Sequence, residues 1–288
     1  MMTLIVNPTS GNGYALKVEK QLKDALRSRQ TPCRFVHTEA PGHATALARE
    51  AAQQPDCSAV VAVGGDGTAF EVACGLMDTG IPLGIIPAGT GNDFIKTTGT
   101  PAKPLDALDF ILKGTPRPVD LCSLNDRMFL NVCGTGFDVT VLDNTLAAKK
   151  YVRGILPYLV GLVRAVFHYK PVHVRLTADG DVTEGDVLVC SVANGRYIGG
   201  GIPICPTARV DDGKLDVVVA DTVPRWKIPS YLPGLMMGRI LGFDITRHRL
   251  CDRVVIDAPG MRLNVDGEIF SMDRAEFAVH PGKLLLYW

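Results

Sequence analysis

The run SAVVAV, Ser58 to Val63, passes directly into Gly64-Gly65-Asp66-Gly67-Thr68, and no other stretch limits the fold as strongly. A short apolar run without polar alternation is the pattern of a strand buried on both faces, as in a parallel sheet covered by helices. Glycines at its end let the backbone turn sharply, and Thr68 to Met77 then takes up helical periodicity. The neighbouring segments repeat this alternation. Thr3 to Pro8, Cys33 to Thr38 and Leu83 to Pro87 are short β-rich runs. Helical patterns separate them: a stretch with Ala15, Val18, Leu22, Ala25 and Leu26 on one face, then Ala44 to Gln53, and finally Leu105 to Leu112. Strand and helix in alternation predict parallel strands with helices on both faces.

After Pro118 the texture changes. Gly136 to Leu146 and Gly154 to His168 read as helices. The rest is mostly strand-like: Val172 to Thr177, Asp186 to Ala193, Lys214 to Ala220, Arg253 to Asp257, Arg262 to Asp266, Glu276 to His280 and Lys283 to Tyr287. Asp179-Gly180, Asp212-Gly213, Asp266-Gly267 and Pro281-Gly282 read as the turns between them. Trp226 to Leu241 is expected to be helical in part, with Pro229 and Pro233 interrupting it. The predicted fold is therefore an N-terminal α/β domain with a mostly parallel sheet, followed by a C-terminal antiparallel β-sandwich. The boundary falls near Pro116 to Asp120, which gives domains of 1–120 and 121–280. The cleft between two such domains is a common place for a ligand.

Composition narrows the class further. A chain of 288 residues with 47% apolar and 21% charged side chains can bury two cores. Thirty basic residues balance thirty acidic ones, which argues against a nucleic-acid partner. Eight cysteines show neither C-x-x-C pairs nor zinc spacing, so they read as buried thiols of a cytoplasmic protein. The N-terminus MMTLIVNP lacks the pattern of a signal peptide. The longest apolar segment, Ile155 to Phe167, contains Arg164 and falls short of the roughly 20 residues of a spanning helix. A soluble or peripheral protein is expected.

Three glycine-bearing loops follow strands of the first half, where open α/β sheets bind ligands. They are Asn7-Pro8-Thr9-Ser10-Gly11, Gly64 to Thr68, and Pro87 to Phe94. Glycines turn backbone N–H groups toward an anion, and a following helix N-terminus adds positive potential. The hydroxyls of Thr9, Ser10, Thr68 and Thr90 add donors, so the three loops together predict a polyphosphate pocket. No Walker A lysine motif, dinucleotide fingerprint or H-R-D loop is present. Asp66 and Asp93 lie within the loops and would repel phosphate without an intervening cation; Mg²⁺ resolves that conflict. The alternative is that each caps its following helix.

NPTSG, GGDGT with Glu71 three residues on, and GTGNDF resemble the diacylglycerol kinase catalytic family, which includes bacterial lipid kinases and the sphingosine and ceramide kinases. Val192 to Val219, with its D-G-x-L-D turn, and Asn264 to Glu268, with D-G-E, extend the resemblance over nearly the whole chain. The resemblance implies an N-terminal domain similar to that of NAD kinases, completed by a C-terminal strand near 281–288. It implies ATP in the cleft, Mg²⁺ beside it, and a β-sandwich that serves the lipid. Nucleotide contacts then fall on Asn7, Pro8, Thr9, Ser10, Gly11, Thr38, Gly64, Gly65, Asp66, Gly67, Thr68, Ala69, Phe70 and Thr90. Glu268 takes the place of the family's general base, with Asp66 as the second catalytic carboxylate. The D-G-x turn resembles a structural Mg²⁺ site formed by the Asp212 carboxylate and the carbonyls of Arg209 and Lys214. Phe70 stands where the family carries asparagine, which removes an amide near the phosphates.

The expected reaction is γ-phosphate transfer from ATP to a lipid hydroxyl, with diacylglycerol as the default acceptor. NAD phosphorylation and a nucleotide-binding regulator without catalysis are the alternatives. The acceptor comes from a membrane, so peripheral association is expected. Trp226, Leu232, Leu235, Met236, Ile240 and Leu241, flanked by Arg225, Lys227, Arg239 and Arg247, form a candidate contact, and Tyr158 to His168 another. A homodimer is compatible with the sequence, which leaves the oligomeric state open.

Overall fold

The structure is a computed structural model that describes residues 1–148 and 156–288. These divide into two compact units, Met1–Leu121 with Pro281–Trp288, and Cys122–His280.

In the first unit, β1 (Met2–Val6), β2 (Cys33–His37), β3 (Ala59–Gly64) and β4 (Leu83–Pro87) form a parallel sheet in the order β2-β1-β3-β4. Helix α1 (Tyr14–Ser28) buries Ala15, Val18, Leu22 and Leu26 at the spacing of one helical face. α2 (His43–Ala52) lies against α3 (Asp66–Leu76). That approach depends on Gly75, where a Cβ would stand 2.5 Å from the Thr45 carbonyl oxygen and 2.6 Å from the Ala48 Cβ. α4 (Asp93–Thr98) and α5 (Pro104–Lys113) follow, and then β5 (Pro116–Leu124). β3 and β4 are buried along their whole length, as their unbroken apolar sequence requires.

The second unit contains β6 (Arg127–Phe129), β7 (Val132–Gly136), α6 (Phe137–Ala148), α7 (Leu156–His168), β8 (Val172–Ala178) and β9 (Asp181–Ala193). A small hairpin of β10 (Tyr197–Ile198) and β11 (Ile202–Pro203) precedes β12 (Leu215–Asp221) and α8 (Ile228–Met236). β13 (Thr246–Cys251), β14 (Arg253–Val265) and β15 (Glu268–Tyr287) complete the chain. The pairing is antiparallel, as expected for a sandwich. β14 pairs with β8 through Val254–Asp257 and with β7 through Asn264–Val265. It changes partner across a bulge between Asp257 and Met261, where Pro259 and Gly260 (φ +64°) break the ladder. Leu124, Phe129, Val192, Val254, Ile256, Leu263 and Phe277 are among the core, with Phe129 and Phe277 edge to face at 6.0 Å.

Several expectations need correction. Arg253–Asp257 and Arg262–Asp266 are one strand, because the turn-like residues between them form a bulge. Glu276–His280 and Lys283–Tyr287 are likewise one strand. Gly282 takes φ +64° within it and donates its N–H to the Asp120 carboxylate at 2.9 Å, so Pro281-Gly282 is no turn. Helix α4 and strands β5, β6, β7 and β13 are additional elements. Pro229 does not interrupt α8, since it lies in the first turn, where its missing N–H has no intrahelical acceptor. The helix also continues through Pro233. The expected helix Gly154 to His168 begins outside the described residues and is seen from Leu156. None of the eight cysteines forms a disulfide. Among the described residues, no helix is long and apolar enough to cross a membrane.

Candidate functional site

In the first unit, the loops after β1, β3 and β4 meet. Asn7 follows β1; its N–H bonds the Val63 carbonyl, and its Nδ2 donates to Thr68 Oγ1 at 3.1 Å. Its Oδ1 accepts the Thr9 N–H at 3.1 Å and the Thr9 hydroxyl at 2.8 Å. This turn sets the course of Pro8, Thr9 and Ser10. Gly11 has φ +59°, and a Cβ there would lie 2.5 Å from the Ala88 carbonyl oxygen after β4. The backbones of Gly65 and Gly89 touch: a Cβ on Gly89 would stand 2.4 Å from the Gly65 Cα. Ala88 N–H bonds the Gly64 carbonyl at 2.7 Å. Only glycine permits this contact, which brings the second and third loops together.

Asn92 holds the third loop, accepting the Gly89 N–H at 3.2 Å and donating to the Gly89 carbonyl at 2.9 Å. Thr90 at its tip is exposed, as is Gly67, while Thr68 and Ala69 are buried and Phe70 is half-buried on α3. Thr38 follows β2, with its N–H on the Val6 carbonyl at 3.0 Å. Glu71 organises the next segment. Its carboxylate accepts N–H groups of Gly42 (2.8 Å) and Ala44 (3.1 Å) at the start of α2, a role that the motif alone did not reveal.

Neither Asp66 nor Asp93 caps its own helix. Asp66 Oδ1 accepts the Phe94 N–H at 3.0 Å, so it binds the first turn of α4, a helix that begins 27 residues later. Burial pushes the Asp66 carboxyl above its ordinary value; the Phe94 N–H opposes that rise and the Asp93 charge adds to it. Asp93 is buried and paired with Lys96 at 2.7 Å. The Oδ2 atoms of both aspartates face the bare α-carbon of Gly91; a Cβ there would lie 3.1 Å from one and 3.7 Å from the other. Two hard oxygen donors converging in this way fit a divalent cation such as Mg²⁺. Among the described residues, no three His, Cys, Asp or Glu side chains form a metal cluster, so an ion here would also need backbone or substrate oxygens.

The second unit holds the remaining expected residues. Asp266 (φ +48°) and Gly267 (φ +97°) make the β14–β15 turn. The Asp266 carboxylate accepts N–H groups of Leu130 (2.8 Å), Asn131 (3.0 Å) and Val132 (3.0 Å). Glu268 is the next side chain and is exposed. Asp212 Oδ1 accepts the Lys214 N–H at 3.0 Å, which forms the D-G-K turn, and the Arg209 guanidinium pairs with Asp211 at 3.1 Å. Asp212 is exposed, and a carboxylate oxygen is the donor type that Mg²⁺ takes. Of the apolar residues expected to face a membrane, Ile240 is buried in the core, and Leu235 and Leu241 are half-buried against it. Trp226, 76% exposed, with Met236 and Met237, faces outward.

An α/β unit with glycine loops at its strand ends, joined in sequence to a β-sandwich carrying a D-G-E turn, defines the lipid-kinase class. Residues 1–124 match the diacylglycerol kinase catalytic domain, and residues 131–288 match the YegS C-terminal NAD kinase beta sandwich-like domain. A diacylglycerol kinase of Mycobacterium tuberculosis is 31% identical over 98% of this chain and 93% of its own length. A Pseudomonas aeruginosa protein named "Probable lipid kinase YegS-like" is 38% identical over 79% of this chain and 76% of its own. A diacylglycerol kinase crystal structure from Bacillus anthracis superposes with TM-score 0.74 at 25% identity, covering 100% of this chain and 96% of that one. The chain belongs to the diacylglycerol kinase catalytic family. It is a kinase that uses ATP to phosphorylate a lipid hydroxyl.

Proposed function

We propose that the protein transfers the γ-phosphate of ATP to the free hydroxyl of diacylglycerol, giving phosphatidic acid. The observation that carries this reading is the meeting of the three glycine loops, with Asn7 bonded to Thr68 and Gly65 packed on Gly89. Asn7, Pro8, Thr9, Ser10 and Gly11, with Thr38, Gly64, Gly65, Asp66, Gly67, Thr68, Ala69, Phe70 and Thr90, hold the nucleotide. Backbone N–H groups and hydroxyls meet the phosphates, and the N-terminus of α3 adds favourable potential.

Mg²⁺, when bound, neutralises charge on the transferring phosphoryl group. Asp66, supported by Asp93, would be the protein's donor to it, and Asp212 with the carbonyls of Arg209 and Lys214 would hold a second, structural ion. Glu268 accepts the proton of the lipid hydroxyl. Its exposure, on a turn fixed through Asp266, supports that role, since a base must reach an acceptor from outside the protein. Trp226, Met236 and Met237, with Arg225, Lys227 and Arg239, meet the bilayer surface that supplies the acceptor.

The test is transfer of label from γ-labelled ATP to a panel in mixed micelles: diacylglycerol, phosphatidylglycerol, a sphingoid base and, in solution, NAD. Label chiefly in phosphatidic acid is the expected result. Label chiefly in another lipid or in NADP would overturn the assignment of the acceptor.

A further inference from the structure

Three strands of the second unit carry Asn264 (β14), Gly134 (β7) and Ser191 (β9) directly opposite one another. Directly opposed residues point to the same face of a sheet. The middle position has no side chain, so the row contains a slot. The Asp138 carboxyl fills it. A Cβ on Gly134 would stand 2.5 Å from Asp138 Oδ2 and 3.2 Å from Ser191 Oγ. Asp138 reaches back over its own strand because Gly136, at φ +107°, makes a sharp corner into α6; a Cβ at Gly136 would meet the Leu188 carbonyl oxygen at 2.3 Å. Asp138 Oδ1 and Ser191 Oγ are buried without a hydrogen-bond partner in the protein.

Asn264 joins this slot to the D-G-E turn. Its Nδ2 faces Asp138 Oδ2 at 3.5 Å, and its Oδ1 accepts the Gly267 N–H at 2.9 Å. The turn before Glu268 is thus held from two sides, by Asp266 on the β6–β7 connection and by Asn264 on Asp138. A buried carboxyl that only filled space would be a costly choice, since an apolar or amide side chain desolvates more easily.

We propose that Asp138 is a positioning residue for phosphoryl transfer, acting through Asn264 to fix the turn that carries Glu268. The proposal rests on the reading of Glu268 as the base. What the slot must supply is an acceptor of fixed shape for the Asn264 amide, and an asparagine at 138 can supply it through its own carbonyl oxygen. Alanine cannot. Alanine at 134 would force the carboxyl out of the slot without touching Asp138 itself.

The experiment compares lipid phosphorylation by Asp138→Ala, Asp138→Asn, Gly134→Ala and Asn264→Ala, with kcat and the KM values for ATP and lipid measured separately. Asp138→Ala, Gly134→Ala and Asn264→Ala are each expected to lower kcat by about tenfold or more with ATP KM unchanged. Asp138→Asn is expected to keep wild-type kcat. The Asp138→Ala/Asn264→Ala double variant should be no worse than either single one, as for two groups in one chain of contacts. Should Asp138→Ala fail to fold, Gly134→Ala and Asn264→Ala read the same coupling. Wild-type kcat in Asn264→Ala and Gly134→Ala, additive losses in the double variant, or an Asp138→Asn as slow as Asp138→Ala would each overturn the proposal. Glu268→Gln run alongside separates the two failures. If it is fully active, the base assignment fails; if it is inactive while the Asp138 series is wild-type, only the positioning role fails.

Discussion

Asp138→Asn should make the protein more stable, and the gain should depend on pH in a defined way. Burial lifts the Asp138 carboxyl from 3.8 to about 6, with opposing contributions from the Val139 N–H and the Asn264 amide. The folded state therefore resists ionisation of this group. A carboxyl whose folded pKa is raised adds nothing adverse below the unfolded value, destabilises increasingly between the two values, and by a constant amount above the folded one. A rise from 3.8 to about 6 corresponds to about 3 kcal/mol at pH 8 and about 1 kcal/mol at pH 4.5. Asparagine keeps the shape of the carboxyl and cannot ionise, so it should recover those amounts. Urea unfolding followed by circular dichroism, on variant and wild type at both pH values, measures the difference while other titrating groups cancel. A gain that rises from pH 4.5 to pH 8 agrees with the structure. An equal difference at both values, or a variant destabilised at pH 8, would show that the carboxyl is not desolvated in the slot.

Other expectations concern the nucleotide loops and the bilayer. Gly89→Ala places a methyl group against the Gly65 backbone and should raise the ATP KM at least tenfold, or about 1.4 kcal/mol, with a normal circular dichroism spectrum. Phe70→Asn restores an amide near the phosphates and should lower the ATP KM by about tenfold, given about 1.5 kcal/mol for a hydrogen bond to a charged group; an unchanged KM would place the side chain away from the nucleotide. Trp226→Ala should weaken binding to anionic vesicles by about tenfold in sedimentation assays, while kcat on a short-chain soluble diacylglycerol stays at the wild-type value.

The glycine loops were legible because their pattern is local: an apolar strand, then glycines, then a helix, all within a few residues of one another. The parallel pairing of the first unit followed from the same alternation, whereas its strand order, β2-β1-β3-β4, is set by tertiary packing. Strands β5 to β7 were not legible, since stretches such as Asp120-Leu-Cys-Ser-Leu and Val132-Cys-Gly-Thr-Gly136 mix small and polar residues and resemble connections. β14 and β15 were each divided in two, because Pro259-Gly260 and Pro281-Gly282 carry turn chemistry, which the structure uses for a bulge in the first case and for a positive-φ glycine within a continuing strand in the second. Asp66 has the sequence position of a cap for α3 but holds α4 instead, a choice that only the meeting of two loops decides. The Asp138 slot needs a register across three strands, Asn264 to Gly134 to Ser191, and no local pattern encodes it. Ile240 was read as facing outward, but it lies in a 3₁₀ turn after α8 and is buried, whereas Met237 just past the helix is exposed.

The most direct test of phosphoryl transfer through Glu268 is the transfer of label from γ-labelled ATP to diacylglycerol by wild type and Glu268→Gln, with ATP affinity measured in parallel. The wild type is expected to give labelled phosphatidic acid, and the variant a kcat lower by about 10²–10⁴-fold with unchanged ATP affinity. Full turnover by Glu268→Gln with normal ATP binding would contradict transfer through Glu268.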